Sequence, residues 1–317
     1  MSKEHWMREL PPELRQLSII NLAIPGSHNS MTYGINSSSK LSPDAEPAIR
    51  RWHRVFPCFV RRWCKNQSSS ILEQLQLGVR YFDLRIAQNE GKFYYCHGLY
   101  SLEIFEPLEE IRQFLDTHSE EVVILDLQHF YALDVAHHQQ LHMELIQFFG
   151  HRLYSTLDGS LQDCSLERCL QLQRQVVIIY RRCPIPLPLR FWPSYAWPTP
   201  WPNKASVKQL QSFLEDSLLS RRPQDGFVSQ VLITPTGRYI ALRIFFTLQR
   251  TAKRVDKKLH PWIMEQIPGP FDPKQKPRAN VFLGDFVNLK DGQFCNWIID
   301  LNKKLEALAE QEQDEEQ

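Results

Sequence analysis

The chain has 317 residues, 43% of them hydrophobic and 23% charged, with a formal net charge of +1. This composition suits a soluble globular protein of one large domain or two ordinary ones. It gives no global attraction to nucleic acid, so any electrostatic targeting must be local. No apolar run is long enough to span a bilayer, and the first residues lack a signal-peptide core. The seven cysteines are odd in number and not closely paired, which argues against a disulfide framework or a zinc site and for a reducing, intracellular compartment.

Residues Leu17 to Ile24 read as a short buried strand that stops at the turn signal Pro25-Gly26 and delivers Ser27-His28-Asn29-Ser30 to a loop. A histidine at a strand exit serves either structure or proton transfer. Residues Asn36 to Pro47 are polar and loop-like. The segment Arg50 to Lys65 then alternates cations with large apolar side chains: Arg50, Arg51, Trp52, Arg54, Arg61, Arg62 and Trp63. It fits either an amphipathic helix packed on the domain or a rim lying on an anionic membrane surface. The triplets Asn36-Ser37-Ser38 and Asn66-Gln67-Ser68 match a glycosylation acceptor and are read as chance matches without a secretory route.

Ser70 and Glu73 have capping-box spacing at the start of a helix over Ile71 to Leu77. Gly78 ends it. The next run, Val79-Arg80-Tyr81-Phe82-Asp83-Leu84-Arg85, reads as a buried strand with three charges, and a second strand closes at Cys96-His97-Gly98. Buried charges must be paired or used. Asp83 and Arg85 are two apart and share one face. With His97 they suit general acid chemistry beside an anion such as a phosphate, or else a buried ion pair with a structural histidine.

Further on, Pro107 to Thr117 is a predicted helix, Glu121 to Gln128 a buried strand and Asp134 to Phe149 a helix. His138 and His142 are four apart on that last helix without an accompanying Glu, so they are read as a solvated face. Gln175 to Arg181 repeats the pattern of an apolar strand ending in a cation. The loop Cys183 to Asn203 carries Trp192, Trp197 and Trp201 and could wall a pocket or wet a membrane. A helix over Ala205 to Leu219, a strand over Gly226 to Thr234, a helix over Arg238 to Leu259, a strand over Asn280 to Val287 carrying Asp285, and a helix from Cys295 complete the order. Residues 1–310 are expected to form one domain and 311–317 an acidic tail. Strands alternating with helices predict an α/β architecture, a single TIM-type β/α barrel with a doubly wound sheet as the alternative. Polar residues recur at the strand exits (His28, Arg85, His97, Gln128, Arg181, Asp285), the face on which barrels build their sites.

Ile24-Pro25-Gly26-Ser27-His28-Asn29-Ser30, Gly78 to Arg85 and Cys96-His97-Gly98 together resemble the catalytic X domain of phosphatidylinositol-specific phospholipase C, over nearly the whole chain. The resemblance implies that His28 is the base removing the inositol 2-hydroxyl proton, that His97 is the acid protonating the diacylglycerol oxygen, and that Asp285 supports His28. Products would be diacylglycerol and a cyclic inositol phosphate. Calcium-dependent members carry Glu-x-Asp where this chain has Asp83-x-Arg85, and a further glutamate ligand corresponds to Gln128. The metal-independent branch has Asp-x-Arg, its arginine supplying the positive charge. The resemblance therefore implies no metal or other cofactor. Asn29 departs from the aspartate that partners the acid histidine in that branch, and Arg181 is expected to contact inositol or phosphate. The expected partner is phosphatidylinositol lipid at a membrane reached peripherally, not nucleic acid. Two rivals differ in class: a metal-dependent glycerophosphodiesterase, and a barrel that binds phosphoinositides without cleaving them.

Overall fold

The computed structural model describes residues 3–235, 237–241, 246–272 and 275–307. The expected acidic tail lies outside these residues, as does part of the helix expected from Arg238. The strands are β1 (Ile24–Ser27), β2 (Tyr81–Asn89), β3 (Lys92–Cys96), β4 (Tyr100–Glu103), β5 (Val123–Tyr131), β6 (Val176–Tyr180), β7 (Trp192–Pro193), β8 (Val228–Gln230) and β9 (Val281–Gly284). The helices are α1 (Pro12–Gln16), α2 (Pro47–His53), α3 (Pro57–Cys64), α4 (Ile71–Gln76), α5 (Phe105–Thr117), α6 (Val135–Phe149), α7 (Leu166–Leu172), α8 (Val207–Leu218), α9 (Gly237–Ala241), α10 (Leu248–Glu265) and α11 (Gln293–Leu301).

Seven strands lie in the order β7-β6-β5-β2-β1-β9-β8, every neighbouring pair parallel, while β3 and β4 extend the far half of β2 as an antiparallel hairpin. The sheet curls into a β/α barrel. No ladder joins β7 to β8 among the described residues. At that seam Gly226 N–H and Val228 N–H donate instead to the carbonyls of Ala196 and Pro198, at 3.1 and 2.9 Å. The close approach requires glycine at 226, because a Cβ there would lie 2.1 Å from the Trp197 ring. The barrel is thus distorted and open in its ladder at one seam, and the doubly wound alternative falls away.

Side-chain alternation divides the core in two. Phe82, Leu84, Leu125, Leu127, Ile178 and Phe282 face outward to the helices. Ile24, Tyr81, Ile124, Ile179, Val281 and Leu283 face the barrel interior, whose lower end is plugged by Trp6, Leu10, Leu14, Ile19 and Ile20. The strand expected over Leu17 to Ile24 is therefore displaced. Ser18 accepts from Ile20 N–H to cap a 3-10 turn, the Asn280 amide holds the carbonyls of Ile19 and Leu22, and β1 begins only at Ile24. The predicted capping box of Ser70 and Glu73 is present at α4.

Buried charge is arranged in levels along the barrel, on the helix-facing side at the bottom and inside the barrel above it. At the bottom, fully buried Arg80 pairs with Glu121 at 2.7 Å and donates to the carbonyls of Glu4, Leu75 and Val79. Breaking such a pair leaves an uncompensated buried charge. Glu121→Ala should cost on the order of 3 kcal/mol of folding stability, checked by urea denaturation. A loss within the ordinary surface-mutation range would show that the carbonyls alone satisfy Arg80.

Candidate active site

Parallel pairing brings the carboxyl ends of β1, β2 and β9 side by side, with Ser27 in register with both Phe82 and Gly284. The next residues of β1 and β9 are His28 and Asp285, and their side chains meet. His28 Nδ1 donates to Asp285 Oδ1 at 2.8 Å, both groups being buried. The residue after each has left-handed backbone, φ 43° at Asn29 and 49° at Phe286. Asparagine tolerates this conformation, whereas phenylalanine is held in it by its surroundings.

From β2, Asp83 and Arg85 point into the same space. Asp83 Oδ2 accepts from Asn29 N–H at 3.1 Å and lies 3.7 Å from His28 Nε2. Arg85 Nη2 lies 3.4 Å from the same nitrogen. His97 follows β3, its ring centroid 6.4 Å from that of His28. Its Nδ1 donates to the Cys64 carbonyl at 2.8 Å. Gly98 turns the chain away with φ 70°, and a Cβ there would press on Ile49 and Cys64. Asp44 accepts from Gly98 N–H at 2.7 Å but makes no bond to His97. Burial first, and then the Arg85 charge, push the His97 imidazole down to about 4. With Nδ1–H committed to a carbonyl, neutral His97 presents an unprotonated Nε2.

Arg181 does not reach this space. It is buried and grips Asp126 through two bonds of 2.6 and 2.7 Å, with further bonds to the carbonyls of Ser194 and Trp197. Tyr81 Oη also donates to Asp126. The expected inositol contact is thus a buried structural pair. Gln128 is likewise drawn to Asp126, donating at 2.7 Å. A bulge in β5 shifts the register after Leu127, so that His129 and not Gln128 stands opposite Arg85. Nothing in the alternation of the sequence signalled this. Trp201 covers the site, its ring centroid 5.9 Å from His28 and the residue 42% exposed. Trp192 and Trp197 instead belong to the buried core.

Asn66 was visible in sequence only as part of a chance triplet. It is buried beside His28, where it donates to Asp285 Oδ1 at 2.9 Å and accepts from Asn29 Nδ2 at 3.1 Å. Gln67 bridges the carbonyls of His28 and Gly284. Three buried atoms beside His28 have no partner in the chain: Asn29 Oδ1, Asp83 Oδ1 and Arg85 Nε. They are two acceptors and one donor, and unmet demand of this kind suits a ligand bearing both hydroxyl and anionic oxygen.

The expected membrane rim forms α2 and α3. Arg51, Trp52 and Arg62 are exposed, together with Val55 and Phe56, which are 65% and 52% accessible. Arg50 turns back to the carbonyls of Ala45 and Pro43. Arg61 is half-buried with Nη2 on Cys58 Sγ, and Trp63 packs against the cluster of Leu248, Ala252 and Phe286. Arg61 and Trp63 belong to the inner side of the helix pair, whereas Arg50 stays exposed while bonding back to its own loop. No helix of the described residues is long and apolar enough to cross a membrane.

The chain is similar to known proteins in sequence and in fold. The family model described as phosphatidylinositol-specific phospholipase C, X domain, matches residues 59–182. PI-PLC X domain-containing protein 2 of Mus musculus is 35% identical over 313 residues, covering 96% of this chain and 89% of its own. PI-PLC X domain-containing protein 1 of Homo sapiens is 30% identical over 314 residues, covering 96% and 94%. In fold, the phosphatidylinositol-specific phospholipase C from Listeria monocytogenes superposes with a TM-score of 0.66 at 17% identity, covering 95% of this chain and 99% of its own.

His138 and His142 correct the reading of a solvated face, for both are buried. His138 Nδ1 lies 2.6 Å from Tyr180 Oη, and His142 packs on Tyr180 and Phe191. Burial, then the Arg85 charge, holds His97 and His129 at about 4, and burial, then the neighbouring His138, does the same to His142, against an ordinary 6.5. Between these values the unfolded chain binds more protons than the folded one, so stability falls as pH drops through that window. The urea midpoint should therefore be lower at pH 5 than at pH 7, and His142→Phe should flatten the slope. An unchanged slope would show that His142 titrates normally in the folded chain.

Proposed function

The chain belongs to the phosphatidylinositol-specific phospholipase C X-domain family, and from that premise we propose that it cleaves phosphatidylinositol-type lipids without a divalent cation. The observation that carries this reading is the trio of unpartnered polar atoms around the His28 Nε2 lone pair. A vicinal hydroxyl and phosphodiester would meet that demand. The hydroxyl gives its proton to His28 Nε2 as its oxygen attacks phosphorus. The bond from phosphorus to the diacylglycerol oxygen breaks, and that oxygen takes the Nε2 proton that His97 acquires from solvent once the bound phosphate offsets the Arg85 charge. The products are a cyclic inositol phosphate and diacylglycerol. Asp285 steadies the imidazolium that forms, and the Arg85 guanidinium offsets charge on the phosphoryl oxygens. Holding hydroxyl and phosphorus on one ring makes the attack intramolecular.

The donor set fits a hard cation poorly. Arg85 puts a fixed positive charge beside Asp83, and the Gln128 amide is bonded to Asp126. Among the described residues no three His, Cys, Asp or Glu side chains converge to hold a metal. We therefore route no step through one.

A second reading has its own support. His97 rests on a neutral carbonyl, with no carboxylate bonded to it, and is held well below the usual range. Such an imidazole is a poor proton donor unless bound phosphate recharges it, which favours lipid binding without turnover.

Release of water-soluble inositol phosphate from phosphatidylinositol vesicles in excess chelator decides between these readings. The expected result is activity in the native chain and a loss of at least about a hundredfold in His28→Ala. His97→Ala should lose more on the lipid than on a substrate with a good leaving group, which needs no acid. Binding without turnover, with or without calcium, would establish the second reading.

The exposed tip of α2 and α3 supports peripheral attachment, with Trp52, Val55 and Phe56 entering the interface and Arg51, Arg54 and Arg62 among phosphates. Replacing Trp52 and Phe56 with Ser should weaken partition onto anionic vesicles on the order of tenfold. Arg51→Gln with Arg62→Gln should weaken it mainly at low salt. Unchanged partition in both would place the membrane contact elsewhere.

A further inference from the structure

Four buried side chains form a closed ring at the site. Asp285 Oδ1 accepts from His28 Nδ1 at 2.8 Å and from Asn66 Nδ2 at 2.9 Å. Asn66 Oδ1 accepts from Asn29 Nδ2 at 3.1 Å, and the same Asn29 nitrogen lies 3.1 Å from His28 Nε2.

Only one pattern of donors satisfies this ring. A carboxylate repels an amide oxygen, so Asn66 must turn its NH2 to Asp285. Its oxygen then faces Asn29 and requires the Asn29 NH2 there. An NH2 carries two hydrogens, and the second points at His28 Nε2. That nitrogen must then be an acceptor. The pattern leaves Asn29 Oδ1 buried without a partner, a cost that the opposite amide orientation would have avoided only by setting oxygen against oxygen.

The backbone holds both amides where they are. Asn66 N–H donates to Thr32 Oγ1 at 2.9 Å, and Asn66 O accepts from Phe286 N–H at 2.7 Å. Asn29 N–H is fixed on Asp83. Asn66 Nδ2 also lies 3.3 Å from His28 Nδ1, and no interaction of Asn66 reaches past the ring to the site opening, so it acts through the residues of the ring.

We infer that Asn66 is a positioning residue which, by orienting the Asn29 amide, keeps His28 in the neutral form with Nε2 free to accept a proton. The inference rests on reading His28 as the proton acceptor. Because Asn29 aims a donor at Nε2, the charged imidazolium meets an N–H where it needs an acceptor. Losing Asn66 frees Asn29 to turn its oxygen to Nε2–H, which favours the charged form.

Charged groups reach this imidazole from every side: Asp285 after β9, Asp83 and Arg85 on β2, and His97 after β3. Behind Asp285 stands Asp256 of α10, whose carboxyl burial raises to about 7. A shift of His28 alone therefore identifies no cause, and a pairwise test is needed.

The test is 15N-imidazole NMR of His28 across pH in the native chain, Asn66→Ala, Asn29→Ala and the double variant. The expected result is that His28 takes its second proton at higher pH in each single variant. Most of the Asn66→Ala effect should vanish in the Asn29→Ala background, because the amide that Asn66 orients is no longer there. An equal effect of Asn66→Ala in both backgrounds, or none in either, overturns the inference. If Asn66→Ala does not fold, Asn66→Ser keeps the backbone anchors and asks the same question.

Activity provides a separate arm. On phosphatidylinositol, Asn66→Ala should lower kcat on the order of tenfold to a hundredfold. The loss should be greater at acidic than at alkaline pH, with KM little changed. A loss independent of pH would mark a merely structural role and overturn the inference. Failure of the native chain to turn over lipid would sink the functional reading, while the NMR result would still decide the role of Asn66.

Discussion

The hydrogen bond from His28 Nδ1 to Asp285 Oδ1 joins residues 257 positions apart in sequence. It exists because β1 pairs with β9 in parallel and in register, so that residues leaving the two strands together arrive together. Each of those strands is only four residues long. The register is held from outside the sheet as well. Gln67 spans the carbonyls of His28 and Gly284 and accepts from Val287 N–H, while Asn280 ties the entrance of the same pair to Ile19 and Leu22. A one-residue slip would turn Asp285 away from the interior and leave two buried polar groups unpaired. The segment 66–67 between α3 and α4 is therefore as much a part of the site as the strands are.

Buried charge is handled differently at each level of the barrel. Arg80 and Glu121 neutralise one another at the bottom, and Asp126 and Arg181 do so in the middle, with Tyr81 and Gln128 completing the carboxylate's bonds. Pairing these two levels leaves the top level free to stay unsatisfied. Arg85 has no carboxylate within ion-pair distance among the described residues, and its Nε has no partner. A half-buried cation without a carboxylate partner is costly. It is tolerated where an anion is expected to complete it.

Much of this was legible in the sequence, because strand alternation and turn signals are local. The placement of Asp83 and Arg85 on one face, the cap at Ser70, and the placement of His28, His97 and Asp285 at strand exits all follow from residue types at short range. What was not legible depends on register and long-range packing. Arg181 and Arg85 look alike as cations ending apolar strands, and only the position of Asp126 across the sheet separates a structural ion pair from a free guanidinium. Gln128 lost its place to His129 through one inserted residue in β5. Asn66 is a short amide in a polar loop, and its role arises from β1 and β9, neither of which is near it in sequence. His138 and His142 looked solvated because histidine is polar, yet one meets a tyrosine hydroxyl and the other an aromatic wall.

The two histidines are prepared to different degrees. His28 has a carboxylate behind it and a lone pair in front. His97 has a carbonyl behind it, which fixes the ring but adds no charge, and Arg85 nearby opposes its protonation. An acid partner with a full charge would have kept His97 protonated at rest, beside a guanidinium and with no substrate present. With asparagine at position 29, the anion that completes the set must come from the ligand. A phosphodiester settling against Arg85 would cancel the charge that holds His97 neutral and allow it to take up a proton. On the proposed reading, proton uptake by His97 is then coupled to occupancy of the site.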